Sequence, residues 1–272
     1  VTQGEIDAVL ALLRRVSAEQ IMPKWRHLDE DDVRTKSGPQ DPVTVADEAA
    51  EKALGAGLKA LFPDADLIGE EAVSQDRRLL ARLQAPGKVW VIDPIDGTAN
   101  FASDLPLFGV MLALVEADEI LAGFIHDPVG DDTAVAIAGE GSSMIARDGT
   151  AKRMKVAAAA PLKQMTGSLS WRYMPQPLRG HILARLDQLA AVTDYRCAAH
   201  QYRLIAAGHC HVQLFRRLYP WDHAAGYLLH REAGGYAKRF DGSDYVPSDI
   251  EGGLLLAPDE ASWHEMAKVF LA

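Results

Sequence analysis

The stretch WVIDPIDGTANF at residues 90–101 constrains this chain more than any other. An apolar run ends in Asp93, a proline follows, and a second carboxylate, Asp96, comes directly before a Gly-Thr pair. Pro94 disfavours helical geometry at Asp93, so that carboxylate belongs to the extended end of a strand. Gly97 permits a tight turn and close backbone approach to a ligand, and the residues after it can open a helix whose N–H groups face an anion. Hard divalent cations such as Mg²⁺ take oxygen ligands: carboxylates, a carbonyl, waters and phosphate oxygens. Asp93, Asp96 and the carbonyl of Ile95 can supply three of them. Asp, Pro and Gly are also ordinary turn residues, and the spacing alone fits a surface turn equally well. Two further acidic sites shift the balance, because IGEE at 68–71 and YPWDHAAG at 219–226 each place an acid where an apolar run meets the next element.

The charge balance points the same way. With a net charge of −10 and no basic stripe, the chain lacks the Lys and Arg surface that grips nucleic acid through its phosphates. An anionic ligand would need positive charge from something other than side chains, and metal ions are the candidate. The 272 residues make one large domain or two moderate ones with a substantial core, and 48% hydrophobic against 24% charged residues is an ordinary soluble composition. The opening VTQGEIDAVLALLRRV mixes acid and base within an amphipathic pattern, unlike a signal peptide, so a cytoplasmic location is expected. Cys197 and Cys210 are too few for a disulfide framework and lie outside any CxxC spacing; they read as reduced thiols.

Apolar spacing predicts a helix over 4–22, stopped by Pro23, and a second from Thr44 to Pro63 with Asp47 placed as in a capping box. Between them RTKSGPQDP reads as a polar loop. DLIGEE and KVWVID read as strands delivering acids at their C-terminal ends. From Leu107 to Ala146 short β-like runs predict an antiparallel meander. A strand at TGSLSW, helices around 178–192 and 198–207, a strand at HVQLFRRL, a helix closed by Gly234–Gly235 and a C-terminal amphipathic helix complete the pattern. The Ala-rich, basic segment 151–160 is the candidate boundary between halves 1–150 and 151–272.

The chain resembles the inositol monophosphatase family of metal-dependent, lithium-sensitive phosphatases. The resemblance rests on DPVTVAD at 41–47, IGEE at 68–71, WVIDPIDGTANF at 90–101 and PWDHAAG at 220–226, in that order, and so covers essentially the whole chain. It implies an α/β chain with the layered α/β/α/β/α sandwich of the inositol monophosphatase and fructose bisphosphatase type, assembled as a homodimer. It also implies two or three Mg²⁺ ions held by Glu70, Asp93, Asp96, Asp222 and the carbonyl of Ile95. Thr98 and Asp47 match the pair that orients the attacking water, with Glu70 as a further acceptor. The backbone N–H groups of Gly97 and Thr98 match the phosphate cradle. Glu71 matches an accessory acid, and Lys36 lies in the loop 35–41 that corresponds to a flap near the metals.

Substrate choice is where this sequence departs from the inositol-specific pattern. Seven positions before Asp222, where animal relatives carry a hydroxyl-binding glutamate, stands Phe215. The small segment beside the leaving group matches Arg196, Cys197, Ala198 and Ala199, a long cation replacing a glycine. Both changes favour a substrate with additional negative charge or fewer hydroxyls, so inositol 1-phosphate is not the expected best substrate. Histidinol phosphate, a 3′-phosphonucleotide and fructose bisphosphate remain alternatives, as does a regulatory binding protein with vestigial activity. His209, Cys210 and His211 cluster in sequence, but strand alternation over 209–216 would turn Cys210 away from both histidines, which favours structural roles. Trp221 reads as a packing residue, and no role in the chemistry falls to His223.

Overall fold

The computed structural model describes residues 1–36, 38 and 42–272. Helix α1 (Gln3–Val16) buries the stripe Ile6, Val9, Leu10, Leu13 and Val16 and continues as a π-helical turn, Ser17–Ile21. The polar segment after it is flanked by a short antiparallel pair, β1 (Val33–Thr35) with β2 (Pro42–Thr44), rather than being loop throughout. Ser37, Pro39, Gln40 and Asp41 of the expected flap and of the DPVTVAD motif lie outside the described residues. Helix α2 (Val45–Leu61) starts as its capping box requires: Thr44 Oγ1 accepts from the Ala46 amide, and Asp47 reaches back to the Thr44 amide at 2.8 Å.

Strand β3 (Asp66–Gly69) is shorter than DLIGEE suggests, because Glu70 and Glu71 open helix α3 (Glu70–Gln75). Strand β4 (Lys88–Asp96) carries the central motif into the single turn α4 (Thr98–Phe101). The meander then follows as β5 (Gly109–Glu116), β6 (Glu119–Asp127), β7 (Asp132–Ile137), β8 (Gly141–Ile145) and β9 (Ala151–Arg153), giving a seven-stranded sheet ordered β3-β4-β5-β6-β7-β8-β9. Only the β3–β4 pair in it is parallel.

The second sheet is built from β10 (Thr166–Leu169), β11 (Ala191–Thr193), β12 (Val212–Phe215), β13 (Tyr236–Arg239) and β14 (Leu254–Ala257), ordered β11-β10-β12-β14-β13. The helix expected over 178–192 is only α5 (Leu178–Leu183); a 3₁₀ turn at Leu186–Gln188 follows, and Ala191, Val192 and Thr193 pair in parallel with β10. The β-branched Val-Thr pair with an open sheet edge beside it outweighed a helical pattern already interrupted by Gly180. Helices α6 (Ala198–Ala206), α7 (Pro220–Glu232) and α8 (Glu260–Phe270) complete the chain. Helix α7 closes on Gly234 at φ +90°, with the Gly234 amide bonded to the Arg231 carbonyl and the Gly235 amide to that of His230, the expected left-handed cap.

Side-chain alternation sets the layers. Trp90 and Ile92 of β4 pack with α1 and α2, whereas Val89 and Val91 face the cluster holding Tyr202 of α6 and Leu229 of α7. Leu254 and Leu256 of β14 join that same middle cluster, and Leu255 and Ala257 turn outward to Trp263, Met266 and Phe270 of α8. Helices, sheet, helices, sheet, helices is therefore the order, as the resemblance implies.

The middle layer is tight enough to demand a glycine. A Cβ on Gly226 of α7 would lie 2.0 Å from the ring of Tyr202, which is itself fully buried. Gly226→Val should therefore overpack this layer and destabilise the fold by about 1–3 kcal/mol, read as a lower urea midpoint with unchanged cooperativity.

Candidate active site

Successive side chains on a strand alternate faces, so Asp93 and Asp96 on a regular β4 would point to opposite sides of the sheet. They do not, because β4 bulges between them. Asp93 pairs with Met111 and Asp96 with Gly109, so three steps along β4 match two along β5. Pro94 falls inside the bulge, where a missing N–H disrupts no regular ladder. Asp222 arrives from the first turn of α7, which begins with Pro220 at a position suited to proline. Oxygens of Asp93, Asp96 and Asp222 lie within 4.8 Å of one another, although Asp222 of α7 stands more than a hundred positions after the two acids of β4.

Asp93 is 1% exposed, and neither of its carboxylate oxygens has a hydrogen-bond donor among the described residues. Burial, then the charges of Glu70, Asp96 and Asp222, pushes it well above the usual carboxylate range. Asp222 is raised well above that range by burial, then by Glu70 and Asp96. Asp96 is held differently. Its Oδ2 accepts from the Ala199 amide at 2.6 Å and from the Cys197 thiol at 2.9 Å, both at the start of α6. Burial still pushes it up to about 6 against those bonds. Three crowded carboxylates, two buried and one half-buried, with Asp93 lacking any donor among the described residues, are the oxygen set that a hard divalent cation completes.

Glu70 adds a fourth negative charge at the edge of this cluster. Its Oε1 and the Oε1 of Glu71 each lie 2.7 Å from the Lys36 ammonium, so Lys36 bridges both glutamates. Burial lowers the pKa of Lys36, but Glu70 and Glu71 outweigh it and leave the ammonium more firmly charged. Glu71 is pushed up to about 7 by burial and by Glu70, with Lys36 opposing. The short helix that carries both acids is anchored from α2, where Glu51 accepts from the Glu71 amide at 2.7 Å and the Ala72 amide at 3.0 Å.

The Thr98 hydroxyl lies 3.1 Å from Asp47 Oδ1 and 2.9 Å from the Ile95 carbonyl, two acceptors for one proton. Asp47 Oδ2 is taken by the amide and hydroxyl of Thr44, and burial pushes the carboxyl up to about 7 despite those bonds. Gly97 sits at φ +84°, and a Cβ there would approach the Leu107 carbonyl to 2.8 Å. The turn is therefore closed to residues other than glycine. Asp96, Gly97, Thr98, Glu70 and Asp222 line one cavity of about 820 Å³.

The residues read as substrate-selecting line the same cavity, each with its own contacts. Arg196, at φ +53°, donates to the Asn100 side-chain oxygen at 2.8 Å. Cys197 spends its thiol proton on Asp96, and burial, then Asp96, raises it well above the thiol range. Ala198 is buried. Phe215 is 4% exposed, stacks on Tyr202 at 5.1 Å and meets His223 edge-on at 4.7 Å. His223 Nε2 faces the Arg217 carbonyl at 2.6 Å, so Nε2 carries the proton and Nδ1 accepts from Tyr202. Burial lowers this imidazole to about 4, leaving it neutral and structural. Trp221 is buried and stacks on Tyr219 at 4.8 Å. The strand read over 209–216 begins only at Val212; before it Cys210 donates to the carbonyls of Thr166 and Val212, and His211 Nδ1 accepts from the Thr166 amide.

Two residues escaped the reading of the sequence. Glu51 stands one helical turn after Asp47, a spacing that puts both on one face of α2. Asn100 lies inside the central motif and ties the Leu107 and Tyr195 carbonyls together at 2.9 and 2.8 Å.

The profile of the Inositol monophosphatase family matches residues 3–270. A fructose-1,6-bisphosphatase/inositol-1-monophosphatase of Thermotoga maritima is 30% identical over 240 residues, 88% of this chain and 86% of the relative. An inositol-1-monophosphatase of Bacillus subtilis is 31% identical over 222 residues, 79% of this chain and 78% of the relative. The solved structure of a Thermotoga maritima IMPase superposes with a TM-score of 0.83 at 28% identity, covering 98% of this chain and 97% of that one. The layered sandwich, the acidic cavity and these likenesses agree: the chain belongs to the inositol monophosphatase family of metal-dependent phosphoric monoester hydrolases.

Proposed function

We propose that this protein hydrolyses a small phosphorylated metabolite with Mg²⁺ ions held by Glu70, Asp93, Asp96, Asp222 and the Ile95 carbonyl. The observation that carries the reading is Asp93: a buried carboxylate with no donor on either oxygen, crowded by Asp96 and Asp222. All the donors are oxygens, which favours Mg²⁺ over thiophilic metals. Two or three ions per site and a homodimer belong to the same reading and rest on the family resemblance, and a cytoplasmic location is part of the same proposal. Among the described residues no helix is long and apolar enough to cross a membrane.

Bound divalent ions supply Lewis acidity toward water and phosphate oxygens. The chain supplies orientation. Asp47 accepts the hydrogen bond that the Thr98 hydroxyl donates, which turns the Thr98 oxygen lone pairs toward the attacking water and frees the Ile95 carbonyl. Glu70, once released from Lys36, is a second acceptor for that water. The amides of Gly97 and Thr98 cradle the phosphate at a turn whose shape the positive φ of Gly97 fixes. Asp96 keeps its orientation through the Cys197 thiol and the Ala199 amide.

Removing divalent metal with a chelator should abolish phosphate release, and Asp93→Asn should lower kcat by orders of magnitude. The same substitution should raise the melting temperature of the chelated protein, since a neutral amide relieves the crowding, and should erase the stabilisation that Mg²⁺ gives. A chelated variant that melts below wild type would contradict the proposed electrostatics. Thr98→Ala should depress kcat far more than it raises KM, because the hydroxyl orients water rather than binding phosphate; steady-state kinetics on any turned-over ester checks the split.

The pH dependence follows from the raised carboxyls. Asp96 and Asp47 titrate at about 6 and about 7 in the fold against 3.8 for a free aspartate, so they retain protons that the unfolded chain has already lost. Their contribution to stability without metal is complete below about pH 4 and declines as pH rises through those values. Metal requires the ionised forms, so the Mg²⁺-induced rise in melting temperature should grow between about pH 5 and pH 8. Thermal melts with Mg²⁺ and with chelator across that range measure it; a constant difference would count against Asp96 as a ligand.

A further inference from the structure

Most of the cations around the cavity are matched by carboxylates. Arg34 pairs with Glu48 at 2.6 Å, Lys36 with Glu70 and Glu71, and Arg172 with Asp194 at 3.3 Å. Arg196 and Arg217 also line the cavity, and like Arg77 neither guanidinium has a carboxylate partner among the described residues, although the Arg196 backbone amide donates to Asp194 Oδ1 at 3.1 Å. Both are nevertheless held. The Arg196 guanidinium donates to Asn100 Oδ1 at 2.8 Å, and that amide cannot turn because its NH₂ is committed to two carbonyls. The Arg217 guanidinium lies 4.5 Å over the ring of Tyr173, a contact that orients a cation without neutralising it.

Each is coupled to the acidic cluster through its backbone neighbours. Arg196 precedes Cys197, whose thiol bonds Asp96. The Arg217 carbonyl accepts from His223, the residue after Asp222. Two oriented, uncompensated guanidiniums thus flank the carboxylates of a chain whose net charge is −10. A guanidinium presents a planar fork of donors that suits phosphate or carboxylate oxygens.

We propose that Arg196 and Arg217 form a second anion site, and that the preferred substrate is a phosphate monoester whose leaving group carries a further phosphate or carboxylate. The inference rests on the phosphatase reading above and extends it to substrate class. Water attacks the phosphorus held at the carboxylate cluster, the P–O bond to the leaving group breaks, and the products are inorganic phosphate and an alcohol. The second anionic group leaves on that alcohol with its bonds intact.

Matched substrates isolate the added charge. With Mg²⁺ and constant ionic strength, kcat/KM is measured for glycerol 2-phosphate against 2-phosphoglycerate, and for fructose 1-phosphate against fructose 1,6-bisphosphate. The first pair adds a carboxylate, the second a phosphate. The charged member of at least one pair should be favoured by roughly tenfold or more, as charge-assisted hydrogen bonds allow. That ratio should collapse toward one in Arg196→Gln and in Arg217→Gln, and Arg217→Lys should restore part of it. A purely structural role would slow both members of a pair alike and leave the ratio untouched. Hydrolysis of the esters with no charge preference, or a preference that neither glutamine variant moves, overturns the second anion site alone. Failure to hydrolyse any of the four while p-nitrophenyl phosphate is turned over overturns this inference alone; no Mg²⁺-dependent hydrolysis of p-nitrophenyl phosphate either overturns the phosphatase reading with it.

Discussion

Like charges do not gather in a protein interior unless the rest of the fold compels them, and Asp93, Asp96 and Asp222 share oxygens within 4.8 Å. Burying one carboxylate without a partner costs several kcal/mol, and here the neighbours worsen it. Three features absorb the strain. The β4 bulge is locked between β3 and the long antiparallel β5, so it cannot straighten to separate Asp93 from Asp96. Helix α6 offers Asp96 an amide and a thiol. Helix α7 carries Asp222 in its first turn, where the helix dipole favours a negative charge.

The five-layer architecture follows from this requirement. One acid pair sits on the first sheet, and the third acid comes from a helix wedged between the sheets. The middle layer must therefore hold α6 and α7 close to β4 and β5, and Gly109, Gly123 and Gly226 are where side chains are too large to allow it. A Cβ on Gly109 would meet Ala199 at 2.8 Å and one on Gly123 the Ala225 backbone at 2.8 Å, so the two helices lie almost on the sheet. The central hydrophobic cluster draws side chains from both halves of the chain, from Ile68 to Leu256. A site assembled this way is as rigid as the core that carries it.

How much of this was legible in the sequence depends on the range of each interaction. The caps at Thr44 and Gly234, the stripe of α1 and the meander strands are local patterns, and they were readable because periodicity and turn chemistry act over a few residues. Asp93, Asp96 and Asp222, which the structure gathers, stood out because acids recur where an apolar run meets the next element, and their roles came from the family resemblance. The bulge was not: Asp93 and Asp96 reach one face only through a register shift against Gly109 and Met111, which is a property of the partner strand. The same holds for 178–192, where pairing with β10 turned part of an expected helix into β11. Cys197 stood out as a neighbour of the leaving group, yet its contact with Asp96 spans 101 positions and leaves no mark in local sequence.

The cavity divides its labour between floor and rim. The floor carboxylates are fixed by strand register, by helix termini and by one another, so any substitution there disturbs the charge balance of the whole cluster. The rim arginines are exposed, and each guanidinium is held by one neutral side chain, Asn100 for Arg196 and Tyr173 for Arg217. A rim residue can therefore change without moving an acid, and the reaction can stay constant while the leaving group it accepts changes. In the proposed second anion site, specificity is set by the uncompensated charge at the mouth, which Arg196 and Arg217 make positive.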